Sequence, residues 1–205
     1  QSIFNINFNI FIRSVLLTFS FLFFTYLGNT ISEDVVAANT ILINLVFLSA
    51  FILDAYAFST EGVVGYSIGS KNIILLRDVI KNSFILSAST SLLISLFYFF
   101  SKNHFISLMT DLPNIEIISL SYSYWIVFIP LISSFCYQLD GIFVGASQTT
   151  ELRNAMIVSV CIYIISAIYL ISNFGNLGLW ISFSIFFIAR ALTLFTYLKR
   201  IYKKI

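Results

Sequence analysis

An all-α protein built to sit in a bilayer is predicted by three observations. Of 205 residues, 59% are hydrophobic and only 10% are charged, against roughly a quarter charged in a soluble domain. The mean hydropathy is +0.97, more apolar surface than a soluble core can hide. The apolar residues fall into six runs near the length of about 20 residues that a membrane-crossing helix needs. The aromatic content, 23 Phe and 11 Tyr, suits lipid-facing and interfacial positions. A net charge of +2 is too small to point to nucleic acid, and no nucleic-acid partner is expected.

The first span is expected over 12–27, short as counted but able to borrow apolar residues from Phe8 to Phe11. Gly28 to Asp34 reads as a turn, and Ser32 or Asp34 is placed to cap the next helix. The second span, 35–68, is longer than a bilayer requires and so should tilt or protrude. Gly69-Ser70-Lys71-Asn72 ends it. The third span is expected over 79–100 and is followed by a connection containing Pro113. The fourth, 117–146, is broken by Pro130, which cannot donate to the Ile126 carbonyl and therefore kinks the helix. The fifth runs over 155–171. A polar turn, Asn173 to Gly178, leads to the sixth, 179–198, and to a basic tail of Lys199, Arg200, Lys203 and Lys204.

Charge orients these spans. With both ends of the chain on the cytoplasmic side of the inner (cytoplasmic) membrane, ten of the eleven Lys and Arg residues fall on or nearest the inner face, Arg13 and Arg153 among them. Lys102 falls outside, together with Glu33, Asp34, Asp111 and Glu116. This satisfies the positive-inside rule, and the opposite orientation violates it. The start lacks Met and the basic opening and cleavage site of a signal peptide, so the chain reads as a piece of something longer. No internal repeat or low-complexity segment stands out. Cys136 and Cys161 lie in apolar runs and form neither a disulfide framework nor a metal motif. His104 stands alone in an outer loop.

Chemistry is expected where acids enter the apolar runs. Ionisable groups at membrane depth are costly and mark ion or substrate paths by default. Asp54 and Glu61 are seven residues, two helical turns, apart. At 100° per residue they share a stripe with Thr40, Asn44, Phe47, Phe51, Phe58 and Gly65, and that face is expected to look into the protein. Asp140 follows Gln138, ten residues after Pro130, where a kinked helix can combine a carboxylate with freed backbone carbonyls to hold a cation. Gly141-x-x-x-Gly145 permits close helix packing. Arg190, about nine residues inside the sixth span, either snorkels to the headgroups or pairs with Glu61 or Asp140. No hydrolase, metalloprotease or nucleotide-binding motif is present, so the chain is not read as an enzyme, and any transport would run on an ion gradient.

Two segments resemble a known family. Val36-Ala-Ala-Asn39, followed by Leu53-Asp54-Ala-Tyr-Ala-Phe58-x-x-Glu61-Gly-Val-Val-Gly65-x-x-x-Gly69, is similar to the eighth helix of the multidrug and toxic compound extrusion (MATE) transporters, in their DinF-like branch. Leu139-Asp140-Gly141-Ile-Phe143-Val-Gly145-Ala146, with Thr149 and Arg153-Asn154-Ala155-Met156, is similar to the tenth helix and the loop after it. The resemblance implies one six-helix lobe, the second, of a two-lobe, twelve-helix pseudo-symmetric transporter whose first lobe is a missing partner. It implies export of organic, often cationic, compounds in exchange for H⁺ or Na⁺, with no cofactor besides the coupling ion. It implies Asp140 as the cation-linked acid, Asp54 and Glu61 as cavity acids, and Gln138 and Asn44 as polar lining. Some members also place a Glu on the seventh helix, whereas Ser14 to Leu27 contains no acid here. On this reading Asp140→Asn abolishes dye efflux and leaves expression intact. A flippase for lipid-linked saccharides shares the architecture but calls for Arg and Lys at depth, where only Arg190 is counted. A non-transporting membrane scaffold would need neither Asp54 nor Asp140.

Overall fold

A computed structural model describes residues 3–202 and shows seven helices, α1 (Ile3–Ile31), α2 (Glu33–Gly69), α3 (Ile73–Met109), α4 (Pro113–Tyr122), α5 (Tyr124–Gly145), α6 (Thr149–Phe174) and α7 (Asn176–Tyr202). All but α4 are long and apolar enough to cross a membrane. Five of the six expected spans lie inside single helices, which extend beyond them at both ends, while the fourth, 117–146, runs across α4 and α5. Lys203 and Lys204 of the basic tail lie outside the described residues.

Local chemistry sets the boundaries. The Ser32 hydroxyl accepts from the Val35 amide at 3.1 Å and starts α2. The Asn72 side chain does the same for Leu75 at 3.0 Å and starts α3. Between them Lys71 adopts a positive φ of 54°. Gly175, at φ 56° and ψ −130°, turns the chain from α6 into α7 in a conformation that suits only glycine.

The fourth span differs from expectation. The helix is interrupted at Ser123, not at Pro130, and α5 runs through the proline without a break. Ser123 keeps a helical backbone and its amide bonds to the Leu120 carbonyl at 3.2 Å, a tightened turn rather than a loop. Pro130 still removes a donor. Next to the carbonyl it leaves, the Ser95 hydroxyl of α3 donates to the Val127 carbonyl at 2.7 Å, so a neighbouring helix helps to satisfy the strained stretch.

The parallel helices α2 and α5 form the centre, α3 covers one side, α7 packs on the other side of α5, α6 pairs with α7, and α1 leans on α6 and α2. The α2–α5 contact is backbone on backbone. A Cβ at Gly141 would lie 3.0 Å from the Ala57 Cα and one at Gly145 would lie 3.0 Å from the Glu61 Cα, closer still to their carbonyl oxygens. The glycine pair thus does what its spacing promised. On α3, Ser83, Ser87, Ser91 and Ser95 are all buried, a run of small residues every fourth position that lets α3 approach closely.

The end carrying the α1–α2 turn is pinned by a buried polar triad. Asn39 and Asn176 exchange amide hydrogen bonds at 2.7 and 3.1 Å, and the Trp180 indole donates to Asn39 Oδ1 at 3.0 Å. At the opposite end Arg153 donates to Asn9 Oδ1 at 2.9 Å and to Asn154. Its guanidinium ties α6 to α1 besides adding positive charge to that face.

Candidate functional site

Asp140 is the focus. Its carboxylate lies in α5, 6% exposed, and one oxygen, Oδ2, accepts from both the Arg13 and the Arg190 guanidinium groups. Arg190 of α7 therefore pairs with Asp140, not with Glu61 or the headgroups. Arg13 was expected at the inner surface, on a span beginning at residue 12. In the structure α1 begins at Ile3, ten residues earlier, which places Arg13 about 15 Å along the helix. An arginine whose side chain is only 19% exposed needs an acid, and Asp140 supplies it.

Beside this knot lies a cavity of about 180 Å³ lined by Arg13 and Leu17 of α1, Asp54, Ala57, Phe58 and Glu61 of α2, and Tyr137, Asp140, Gly141 and Val144 of α5. Asp54 and Glu61 are half-buried there, and neither makes a hydrogen bond or ion pair among the described residues. The direct backbone contact of Gly141 with Ala57 and of Gly145 with Glu61 sets the α2 acids beside the α5 acid. Several buried polar atoms have no partner among the described residues, namely Asp140 Oδ1, Arg13 Nε, Arg190 Nη1 and Gln138 Nε2. Buried polar atoms seldom stay unsatisfied, and so dense a group of them marks a place built for water, ions or polar ligands.

The remaining expected residues are placed differently. Gln138 is fully buried behind the cavity and accepts from the Thr60 hydroxyl at 3.2 Å. Asn44 is exposed and lines a separate pocket with Phe24, Asn39 and Phe47, about three turns from Asp54. The stripe of α2 does not face the interior of this bundle, for Phe51 and Phe58 are 72% and 71% exposed. The buried face of α2 is instead Leu42, Val46, Ser49, Leu53, Ala57, Thr60 and Val64, because those smaller and apolar side chains pack against α3 and α5. The acids sit at the margin between that buried face and an open aromatic one.

The family model for MatE matches residues 10–171. The chain belongs to the MatE family. It is also 32% identical over 189 residues to the DNA damage-inducible protein F of Escherichia coli (strain K12), covering 92% of this chain and 41% of that protein. The MatE chain shares its fold with an outward-facing multidrug resistance MATE family transporter of the MOP superfamily, TM-score 0.86 at 17% identity over 94% of this chain and 44% of that one. It also superposes on a MOP superfamily transporter from Pyrococcus furiosus, described as having a binding pocket of reverse polarity, with TM-score 0.83 at 18% identity over 94% and 44% of the two chains. The Vibrio cholerae MATE transporter VcmN in its bent form matches with TM-score 0.82 at 17% identity over 93% and 44%. The MatE chain thus spans somewhat under half the length of these relatives.

Proposed function

We propose that this chain is the second six-helix lobe of an exporter in the cytoplasmic membrane that exchanges organic, often cationic, compounds for H⁺ or Na⁺. The observation that carries the reading is the cavity at membrane depth into which Asp54, Glu61 and Asp140 open beside Arg13. With Arg190 behind them, three carboxylates meet two guanidinium groups, leaving one negative charge in excess. In a low-dielectric setting that excess favours a cation. The open aromatic face of α2, with Phe51 and Phe58 exposed, is where the first lobe would complete an amphipathic path.

The test uses the full-length protein in proteoliposomes. Ethidium should move against its own gradient when a pH or Na⁺ gradient is imposed, and not when both are collapsed. Failure of both gradients to drive the dye overturns the reading. Orientation is tested by single cysteines in a cysteine-free background. With both ends of the chain cytoplasmic, position 33 is labelled from outside by an impermeant maleimide and position 77 is not.

The flippase reading gains one point, because Arg13 joins Arg190 at depth. Both guanidinium groups are held by Asp140, however, and the negative excess opposes a diphosphate. Transfer of a lipid-linked saccharide without ethidium transport would favour it. A scaffold would survive neutralisation of both Asp54 and Asp140.

A further inference from the structure

We propose that Asp54 carries the exchangeable charge of this lobe, while Asp140 is the fixed counter-ion of Arg13 and Arg190. The assignment rests on the transport reading above and divides the labour among its acids.

Asp140 is already occupied. Two guanidinium groups converge on its Oδ2, and the side chains of Asp140 and Arg190 are 8% and 1% exposed. A proton or metal cation arriving at Asp140 must displace a positive charge. Among the described residues no other acid lies within ion-pair distance of Arg190, and a buried unpaired guanidinium is among the costliest of groups. The arginines act as tethered cations in the place a mobile one would take.

Asp54 is placed to do what Asp140 cannot. It lines the same cavity, is half-buried and has both oxygens free among the described residues. The charged and titratable groups around it are Arg13 of α1, Cys136, Tyr137 and Asp140 of α5, Arg190 of α7 and, on its own helix, Glu61. Glu61 lies about 10 Å farther along α2, eight residues from the helix end at Gly69, and so closer to the headgroups.

The charge balance gives the exchange its sense. The knot of two arginines and one aspartate is positive by one unit, and ionised Asp54 cancels it. Glu61 then leaves the cavity negative and attractive to an organic cation. When Asp54 takes up H⁺ or binds Na⁺ the excess vanishes and that attraction with it. The coupling ion and the substrate therefore compete for one negative charge without either having to break the Arg–Asp knot.

The experiment measures ethidium affinity by fluorescence on the purified full-length protein, from pH 5.5 to 8.5 and with and without Na⁺, beside the proteoliposome assay. One titrating carboxylate gives the wild type up to about tenfold in affinity per pH unit, or a comparable response to Na⁺. Asp54→Asn should flatten both responses to less than about twofold while remaining monodisperse. Glu61→Gln should weaken ethidium binding across the whole pH range while keeping the slope of the response. The charge-balanced pair Asp140→Asn with Arg190→Gln should also keep it, and Asp140→Asn with Arg190→Met, which likewise leaves no buried guanidinium at that position, serves if that pair misfolds. A full response in Asp54→Asn, or its loss in both folded double variants, overturns the assignment while wild-type transport still upholds the function. A wild type that neither transports ethidium nor responds to pH or Na⁺ overturns both.

Discussion

Asp140→Asn is the most informative stability perturbation. It keeps the shape of the side chain and deletes the one negative charge shared by two arginines. Arg13 is 19% exposed at its side chain and borders the cavity, so it can turn toward water. Arg190, at 1%, cannot. Removing one partner of a buried pair costs about 3–5 kcal/mol, and most of that falls on Arg190. A loss of about 3 kcal/mol lowers the ratio of folded to unfolded protein on the order of a hundredfold. It lowers the melting temperature of this 205-residue lobe, unfolding as one unit, by on the order of 10 °C. The assay is thermal unfolding of the full-length protein in detergent, followed by fluorescence-detected size exclusion. Adding Arg190→Gln should recover more than half of the loss, because the charge left unpaired is then gone. An Asp140→Asn protein that melts within roughly 2 °C of wild type would refute the claim that Asp140 holds the arginines. Intact expression of the Asn variant, the expectation from sequence, is therefore replaced by a marked loss of stability.

Other substitutions probe the frame around the site. Gly141→Ala drives a methyl group into the Ala57 backbone and should cost about 1–3 kcal/mol, whereas Gly62→Ala, with nothing within 4 Å of the added carbon, should be neutral or raise the melting temperature slightly. Asn39→Ala leaves the Asn176 amide and the Trp180 indole without their partner. It should cost about 1–2 kcal/mol, and combining it with Asn176→Ala should cost less than the sum of the two. Gly175→Ala forces a side chain into the φ 56° turn and should destabilise the α6–α7 hairpin by about 1–3 kcal/mol, read as earlier proteolysis at residues 173–178.

Much of the fold was legible because a bilayer leaves few choices. Apolar length gave six membrane helices, and Ser32 and the glycine pair Gly141 and Gly145 act as their patterns promised. Arg13 was lost because apolar counting began the first span at residue 12. The interleaved Asn5, Asn7 and Asn9 disguised a helix that starts at Ile3, and Asn9 meets Thr149 at 3.3 Å and Arg153 at 2.9 Å rather than solvent. An arginine followed by a long apolar run was the available signal. The break at Ser123 escaped notice because Pro130 is the stronger local cue, and nothing in the sequence marks the α3 serines as partners for the stretch beside it. Periodicity put Asn44, Asp54 and Glu61 on one stripe of α2 but could not say which stripe faces α5. Burial assigned that to the stripe of Leu53, Ala57 and Thr60, and Asn44 ended in another pocket.

The α2–α5 backbone contact has a consequence beyond packing. Where two helices are held apart by side chains, a rotamer change can alter their spacing. Here Gly141 and Gly145 leave no side chain to adjust, so main-chain atoms act as a rigid spacer between the carboxylates of Asp54, Glu61 and Asp140. Electrostatic tuning of the cavity is thus entrusted to two positions that carry no charge at all. A single methyl group at either one would re-space the acids, changing how strongly they sense one another while leaving every ionisable residue in place.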